Sequence, residues 1–178
     1  MANWKSRSLT GVVAMLTALA AAAQSPPIRP GLWEVQSESA SEGKKVAPPA
    51  ERLQNLPPEA RAKMEAMMKQ KGIALGPGGV NRICFTKESI AAGSWQSSAR
   101  CKTDYTVQTS SAWKWQSVCN EPAMRIEGVA TFASPESYTV NTSTTLTASG
   151  QKRTAQTSVK AKWLGADCGD LKPFDPKR

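Results

Sequence analysis

Between Arg100 and Trp163 inward-type and polar residues alternate with a period of two, interrupted by short turn-forming stretches. This is the pattern of strands with one buried face. Cys101, Thr103, Tyr105, Val107 and Thr109 share one parity, and Lys102, Asp104, Thr106 and Gln108 take the other. In the next run Trp113, Trp115, Ser117 and Cys119 fall together. A turn centred on Ser110 pairs Val107 with Trp113, Tyr105 with Trp115 and Cys101 with Cys119, close enough for ring contacts or a disulfide.

Two later hairpins keep the same parity. Met124, Ile126, Gly128, Ala130 and Phe132 share a face opposite Arg125, Glu127 and Thr131, with Val129 as the exception. A loop at Ser134-Pro135-Glu136 leads to Tyr138, Val140, Thr142, Thr144, Leu146 and Ala148. Centring it on Pro135 pairs Phe132 with Tyr138 and Ile126 with Thr144. Ser149-Gly150 has the glycine that two-residue hairpin turns favour. Beyond it Arg153, Ala155, Thr157, Val159, Ala161 and Trp163 share a face, with Val140 opposite Val159 and Tyr138 opposite Ala161. A slip of one residue would turn each apolar set to solvent. The serines and threonines between Thr139 and Thr147 read as ordinary strand composition.

The N-terminal half is less periodic. Pro26, Pro27 and Pro30 form a stiff leader to a first strand at Gly31-Leu32-Trp33-Glu34-Val35, with Trp33 and Val35 inward. Gly31-x-Trp33 is similar to the start of a lipocalin's first strand, although the second lipocalin signature is absent. Ser37 to Val46 is polar and reads as flexible. A helix is expected over about 57–72: proline opens it, Glu59 suits its N-terminal dipole and Gly72 its C-terminal turn. Opposite charges lie four apart at Glu59–Lys63, Arg61–Glu65 and Glu65–Lys69. Its apolar stripe, Ala60, Met64, Met67 and Met68, is expected to lie over the sheet or the open end of a barrel. Gly76-Pro77-Gly78-Gly79 is a loop without the Gly-Lys-Ser/Thr of a phosphate-binding turn. Val80 to Thr86 is a second strand, and Lys87 to Trp95 a short helical turn or loop.

Met1 to about Ala23 reads as a secretory signal peptide rather than part of the fold. Lys5 and Arg7 begin it, Leu9 to Ala20 is apolar, and Ala21-Ala22-Ala23 suits a signal peptidase. The apolar run is shorter than the roughly 20 residues of a spanning helix. Residues 24–178 then form a single exported domain, periplasmic or secreted and not membrane-spanning after cleavage. The formal charge of +9 falls to +7 without Lys5 and Arg7. The remaining lysines are spread along solvent faces rather than gathered into a patch with aromatics, which argues against nucleic acid.

Four cysteines in an exported chain allow three pairings. Hairpin geometry favours Cys101–Cys119, leaving Cys84–Cys168 to tie the second strand to the C-terminus. With no histidine and no Cys-x-x-Cys, neither a metal site nor a cofactor is indicated. The usual general base is missing and paired cysteines are not nucleophiles, so no catalytic residue is assigned and the chain reads as a non-enzyme. Glu34, beside inward Trp33, is the one carboxylate singled out.

Pro30-Gly31-Leu32-Trp33-Glu34-Val35, Ile83-Cys84, Cys101, Cys119 and Trp163-Leu164-Gly165-Ala166-Asp167-Cys168 resemble a large family of small exported Gram-negative proteins, known as a domain of unknown function. The helix Leu56-Pro57-Pro58-Glu59-Ala60-Arg61-Ala62-Lys63-Met64-Glu65 looks like an insert many members carry. The resemblance implies export and disulfides, and brings no catalytic or ligand residue. The expected fold is all-β with one helix: an antiparallel meander of about seven strands forming a closed or half-open barrel, the helix packed on it. Trp33, Tyr105, Trp113, Trp115, Tyr138 and Trp163 would line a cavity under a lid of Met64, Met67 and Met68. The expected function is binding or carriage of an apolar or amphipathic small molecule. The alternative is an envelope interaction or stress protein with a filled interior, its partner another envelope component.

Overall fold

A computed structural model describes residues 25–76, 80–91 and 101–174. The expected signal peptide, residues 77–79 of the glycine loop and residues 92–95 of the segment after the second strand lie outside the described residues. Among those described are nine strands and three short helices. Five strands run as an antiparallel meander: β5 (Cys101–Gln108), β6 (Ala112–Cys119), β7 (Met124–Ser134), β8 (Ser137–Ala148) and β9 (Gln151–Gly165). The N-terminal strand β1 (Gly31–Ser41) lies beside β9. On its other side follow β4 (Asn81–Phe85) and β3 (Ile73–Leu75), giving the order β3-β4-β1-β9-β8-β7-β6-β5. The short β2 (Lys44–Val46) pairs with the far end of β1.

The sheet is antiparallel throughout, as expected, but it is not closed: β3 and β5 stand at opposite ends of the strand order. The expected strand count was short by the small strands β2 and β3. Ser37–Val46, expected to be flexible, instead continues β1 and turns back as β2 through Glu42 and Gly43, both at positive φ. Polar residues suffice there because β9 supplies a ladder as far as Ala155.

Most of the register matches the parity. Cys101 faces Cys119, Tyr105 faces Trp115, Phe132 faces Tyr138, Ile126 faces Thr144 and Val140 faces Val159. The pairing of Val107 with Trp113 does not hold: Val107 faces Lys114 and Gln108 faces Trp113. A bulge between Tyr105 and Val107 adds one residue to β5. It lets the hairpin close on two residues, Ser110 and Ser111, with the Thr109 hydroxyl accepting from the Ala112 N–H at 3.0 Å. The β7–β8 hairpin uses the same device, shifting between Phe132 and Ser134 so that Pro135 and Glu136 form the loop.

Both expected disulfides are present, Cys101–Cys119 within the first hairpin and Cys84–Cys168 between β4 and the C-terminal segment. The Pro30-Gly31-Leu32-Trp33 motif forms a latch. Trp33 Nε1 donates to the Arg29 carbonyl at 3.0 Å, and Trp163 Nε1 donates to the Pro30 carbonyl at 3.1 Å. Arg29 lies 5.4 Å from the Trp163 ring and pairs with Glu136. Gly31 sits at φ +132°, and a Cβ there would stand 2.2 Å from the Gly165 carbonyl oxygen. No other residue allows this crossing.

The helix α2 (Pro58–Gln70) has the expected place in the sequence but not in space. It has no buried residue, and it touches β3 and the preceding helix α1 (Pro49–Gln54) rather than the face of the sheet. Met64 and Met67 are 39% and 45% exposed, so the stripe is not packed against the sheet. The reason is its attachment: α2 runs directly into β3, the edge strand, and is carried beside the sheet. Arg61 turns to the carbonyls of Leu53, Gln54 and Leu56 and closes the end of α1. The third helix, α3 (Lys87–Ala91), buries Ser89 and Ile90.

Candidate functional site

The inner face of the sheet is divided into two ends. At one end aromatic rings form a continuous file across six strands. Phe85 and Tyr138 lie 6.5 and 5.1 Å from Trp33, centroid to centroid, and Phe132 lies 6.3 Å from Tyr138. Trp113 lies 5.9 Å from Phe132, and Tyr105 lies 5.6 Å from Trp113. Edge-on and tilted arrangements dominate, as ring quadrupoles favour. Val35, Ala130, Val140 and Ala161 fill the gaps. Burial alone pushes the Tyr138 phenol well above its ordinary pKa. This end is solid: the small void among Tyr105, Trp113, Trp115, Ala130 and Phe132 is about 10 Å³, hardly a single water.

Towards the other end the same faces carry small hydroxylic side chains. Ser39 faces Thr157, Thr157 faces Thr142, Thr142 faces Gly128 and Gly128 faces Trp115, one row across β1, β9, β8, β7 and β6. All five residues line a cavity of about 1080 Å³. Because their side chains are short, neighbours on the same strands also border it, Gln36, Gln116, Asn141 and Gln156 among them. The β2–α1 segment contributes Lys45, Val46 and Pro48 from the opposite side. Strands from β1 to β6 and the β2–α1 segment thus border one space, so the open sheet curls around it.

Two local features shape this cavity. The Ser39 and Thr157 hydroxyls are 3.1 Å apart and hydrogen-bond across the strands. The Trp115 indole passes over Gly128: a Cβ at 128 would be 2.2 Å from ring atoms Cε2 and Cζ2. A glycine in mid-strand here marks a close approach, and the approach is that of the ring. The bordering charges are of both signs, and Glu127 accepts from Arg125 Nε at 3.1 Å.

The expected cavity-lining residues therefore separate. Trp115 borders the large cavity. Trp33, Trp113 and Tyr138 are buried in the filled end, Tyr105 packs beside it, and Trp163 belongs to the latch. Met64, Met67 and Met68 border neither space. Glu34 lies in register between Arg82 and Lys162, a cross-strand arrangement that accounts for a carboxylate at this position. The lining hydroxyls were not singled out from sequence. Their signal was there: Thr142 and Thr157 carry the inner parity directly beyond Val140 and Val159.

A family model described as a protein of unknown function (DUF3617) matches residues 28–168. The chain belongs to this family. The match begins just before the latch and ends at Cys168, so the aromatic file, both disulfides and the cavity row all lie within it. An uncharacterized protein in the lpd-3 5' region of Pseudomonas putida is 34% identical over 136 residues, spanning 70% of this chain and 94% of the relative. No solved structure matches the chain. Among the described residues no helix is long and apolar enough to cross a membrane. Two disulfides are compatible with export.

Proposed function

We propose that this DUF3617 protein is an exported, non-enzymatic binding or carrier protein that holds an amphipathic small molecule in the cavity of its curled sheet. The observation that carries the reading is that cavity, about 1080 Å³ beside a solid core and bordered by Trp115 and a row of hydroxyls. Ligand sites are concave spaces of this order with a few placed polar groups and some apolar surface. The leader and the disulfides support export to an oxidising compartment.

The test is native mass spectrometry of the protein expressed with its own leader and recovered from the periplasm. A mature chain starting near residue 24, with a fraction carrying a co-purifying small molecule, is the expected result. A ligand-free mass at all ionisation energies, together with no change in tryptophan emission on titration with amphiphiles, would refute carriage. The second reading, an envelope interaction protein, draws support from the filled aromatic end. In that case the outer strand faces would be the working surface.

A further inference from the structure

We propose that the ligand of this cavity is a neutral glycoside or short oligosaccharide, with a sugar ring set against Trp115 and its hydroxyls bonded to the Ser39–Thr157–Thr142 row. This rests on the binding reading above and narrows it to a ligand class. Four observations lead to it.

An acyl chain needs an apolar tunnel, and among the described residues the cavity is not continued by one past Trp115. The space beyond Trp115 is closed by Tyr105, Trp113, Ala130 and Phe132, leaving only about 10 Å³. Val35, Ala130, Val140 and Ala161 of the inner face are already used in the core. What the row does offer is hydroxyl groups, each able both to donate and to accept. Ser39 and Thr157 already share one bond at 3.1 Å, so further bonds run to whatever sits above them. A polyhydroxylated ligand answers that row, while the apolar part of the lining, Ala40, Val46, Pro48 and Val129 among it, is left for an aglycone.

The third observation is the ring. Gly128 lets the Trp115 indole lie against the backbone, and the ring borders the cavity. One side is taken by the strand and the ring packs beside Tyr105, with centroids 6.4 Å apart, so the part bordering the cavity is what a ligand can reach. Aromatic faces are electronegative and attract the positive edges of C–H groups. A pyranose presents such C–H groups on one face and hydroxyls around its rim, so it matches an indole beside a hydroxyl row.

Charge supplies the fourth. The row itself carries none, and the charged residues bordering the cavity, Glu38, Glu51, Glu127 and Lys45, are mixed in sign. Glu127 is held by Arg125. With Glu127 paired, Glu38 and Glu51 against Lys45 disfavour an anion, and the row itself has no charge to fix a cation, which leaves a neutral ligand. The volume is at the upper end for small-molecule sites, which suits more than one ring.

The experiment is a calorimetric titration of the mature, disulfide-bonded chain with octyl glycosides of glucose, galactose and mannose below their micelle-forming concentrations, with octanoate as the apolar control. At least one glycoside should bind and alter tryptophan emission, while octanoate should not. Thr142→Val with Thr157→Val should weaken that binding at least about tenfold, as expected for two lost hydrogen bonds. Trp115→Phe should weaken it several-fold, and serves if the double variant fails to fold. Octanoate binding without any glycoside binding would overturn the sugar assignment and leave the carrier reading standing. Glycoside binding indifferent to both variants would also overturn it. No binding of any probe would overturn the sugar assignment, and together with a ligand-free native mass would remove carriage as well.

Discussion

The two ends of one curled sheet differ in what their inward residues do. At the aromatic end Trp33, Phe85, Trp113, Phe132 and Tyr138 touch one another and leave no usable space. A few residues along the same strands, Ser39, Thr142, Thr157 and Gly128 cannot meet across the curl, and about 1080 Å³ stays open. Along β1, β9, β8 and β7 backbone and register are continuous between the two. Side-chain size decides the difference: large rings bridge the concave face, hydroxyls and a glycine do not. One end therefore supplies stability and the other room, and substitutions should separate along that line.

The largest effect should come from the aromatic end. Trp33 is 0% exposed, and its Nε1 is bonded to the Arg29 carbonyl. Trp33→Ala removes that anchor, opens a void beside Phe85 and Tyr138 and should cost about 3–5 kcal/mol. A denaturant melt reads it directly. Trp115→Ala, at the boundary, should cost clearly less because the cavity already borders it on one side. Equal losses at the two positions would break the division of the face into two ends.

A smaller effect is expected where the ends meet. Gly128→Ala would put a Cβ within 2.2 Å of the Trp115 ring, so the indole must swing away from the strand. Overpacking of this kind costs about 1–3 kcal/mol. The displaced ring should also shift the emission of the folded protein and weaken any cavity ligand. If Trp115→Phe suppresses the stability loss of Gly128→Ala, ring contact is its cause. Additive losses would place the cause elsewhere.

Much of this fold is legible in the chain because period-two patterning is local. Val140 and Val159, or Cys101 and Cys119, face each other once a turn is located, and the structure bears both out. Bulges escape that reading: the extra residue in β5 leaves the alternation largely intact yet moves Trp113 opposite Gln108. The hydroxyl lining of the cavity escapes it for a different reason. Thr142 and Thr157 have the inner parity, but hydroxyls on strands are common and do not announce a space. Their row becomes meaningful only when Ser39 joins it, and the β1–β9 pairing that brings Ser39 there spans more than a hundred residues. The tryptophans mislead in the opposite sense. Large inward rings suggest the walls of a cavity, yet rings of that size on a curled sheet meet and fill it.

The smallest effect should come from the methionine helix. In sequence, Met64, Met67 and Met68 form a stripe fit to cover a sheet, and on that reading Met67→Asp would bury a charge at a cost of several kcal/mol. In the structure Met67 is 45% exposed on a helix whose main contacts, among the described residues, are with β3 and α1. A carboxylate there stays hydrated, three residues from Met64 and four from Lys63 and Lys71, whose charges are of the opposite sign. The expected change is within about 0.5 kcal/mol, the range of surface substitutions. Binding at the cavity should be unaltered too, since Met67 does not border it. A thermal melt beside a ligand titration distinguishes the cases. A loss of several degrees would mean that α2 covers apolar surface in solution, and weakened binding with an unchanged melt would restore it as a lid over the open end.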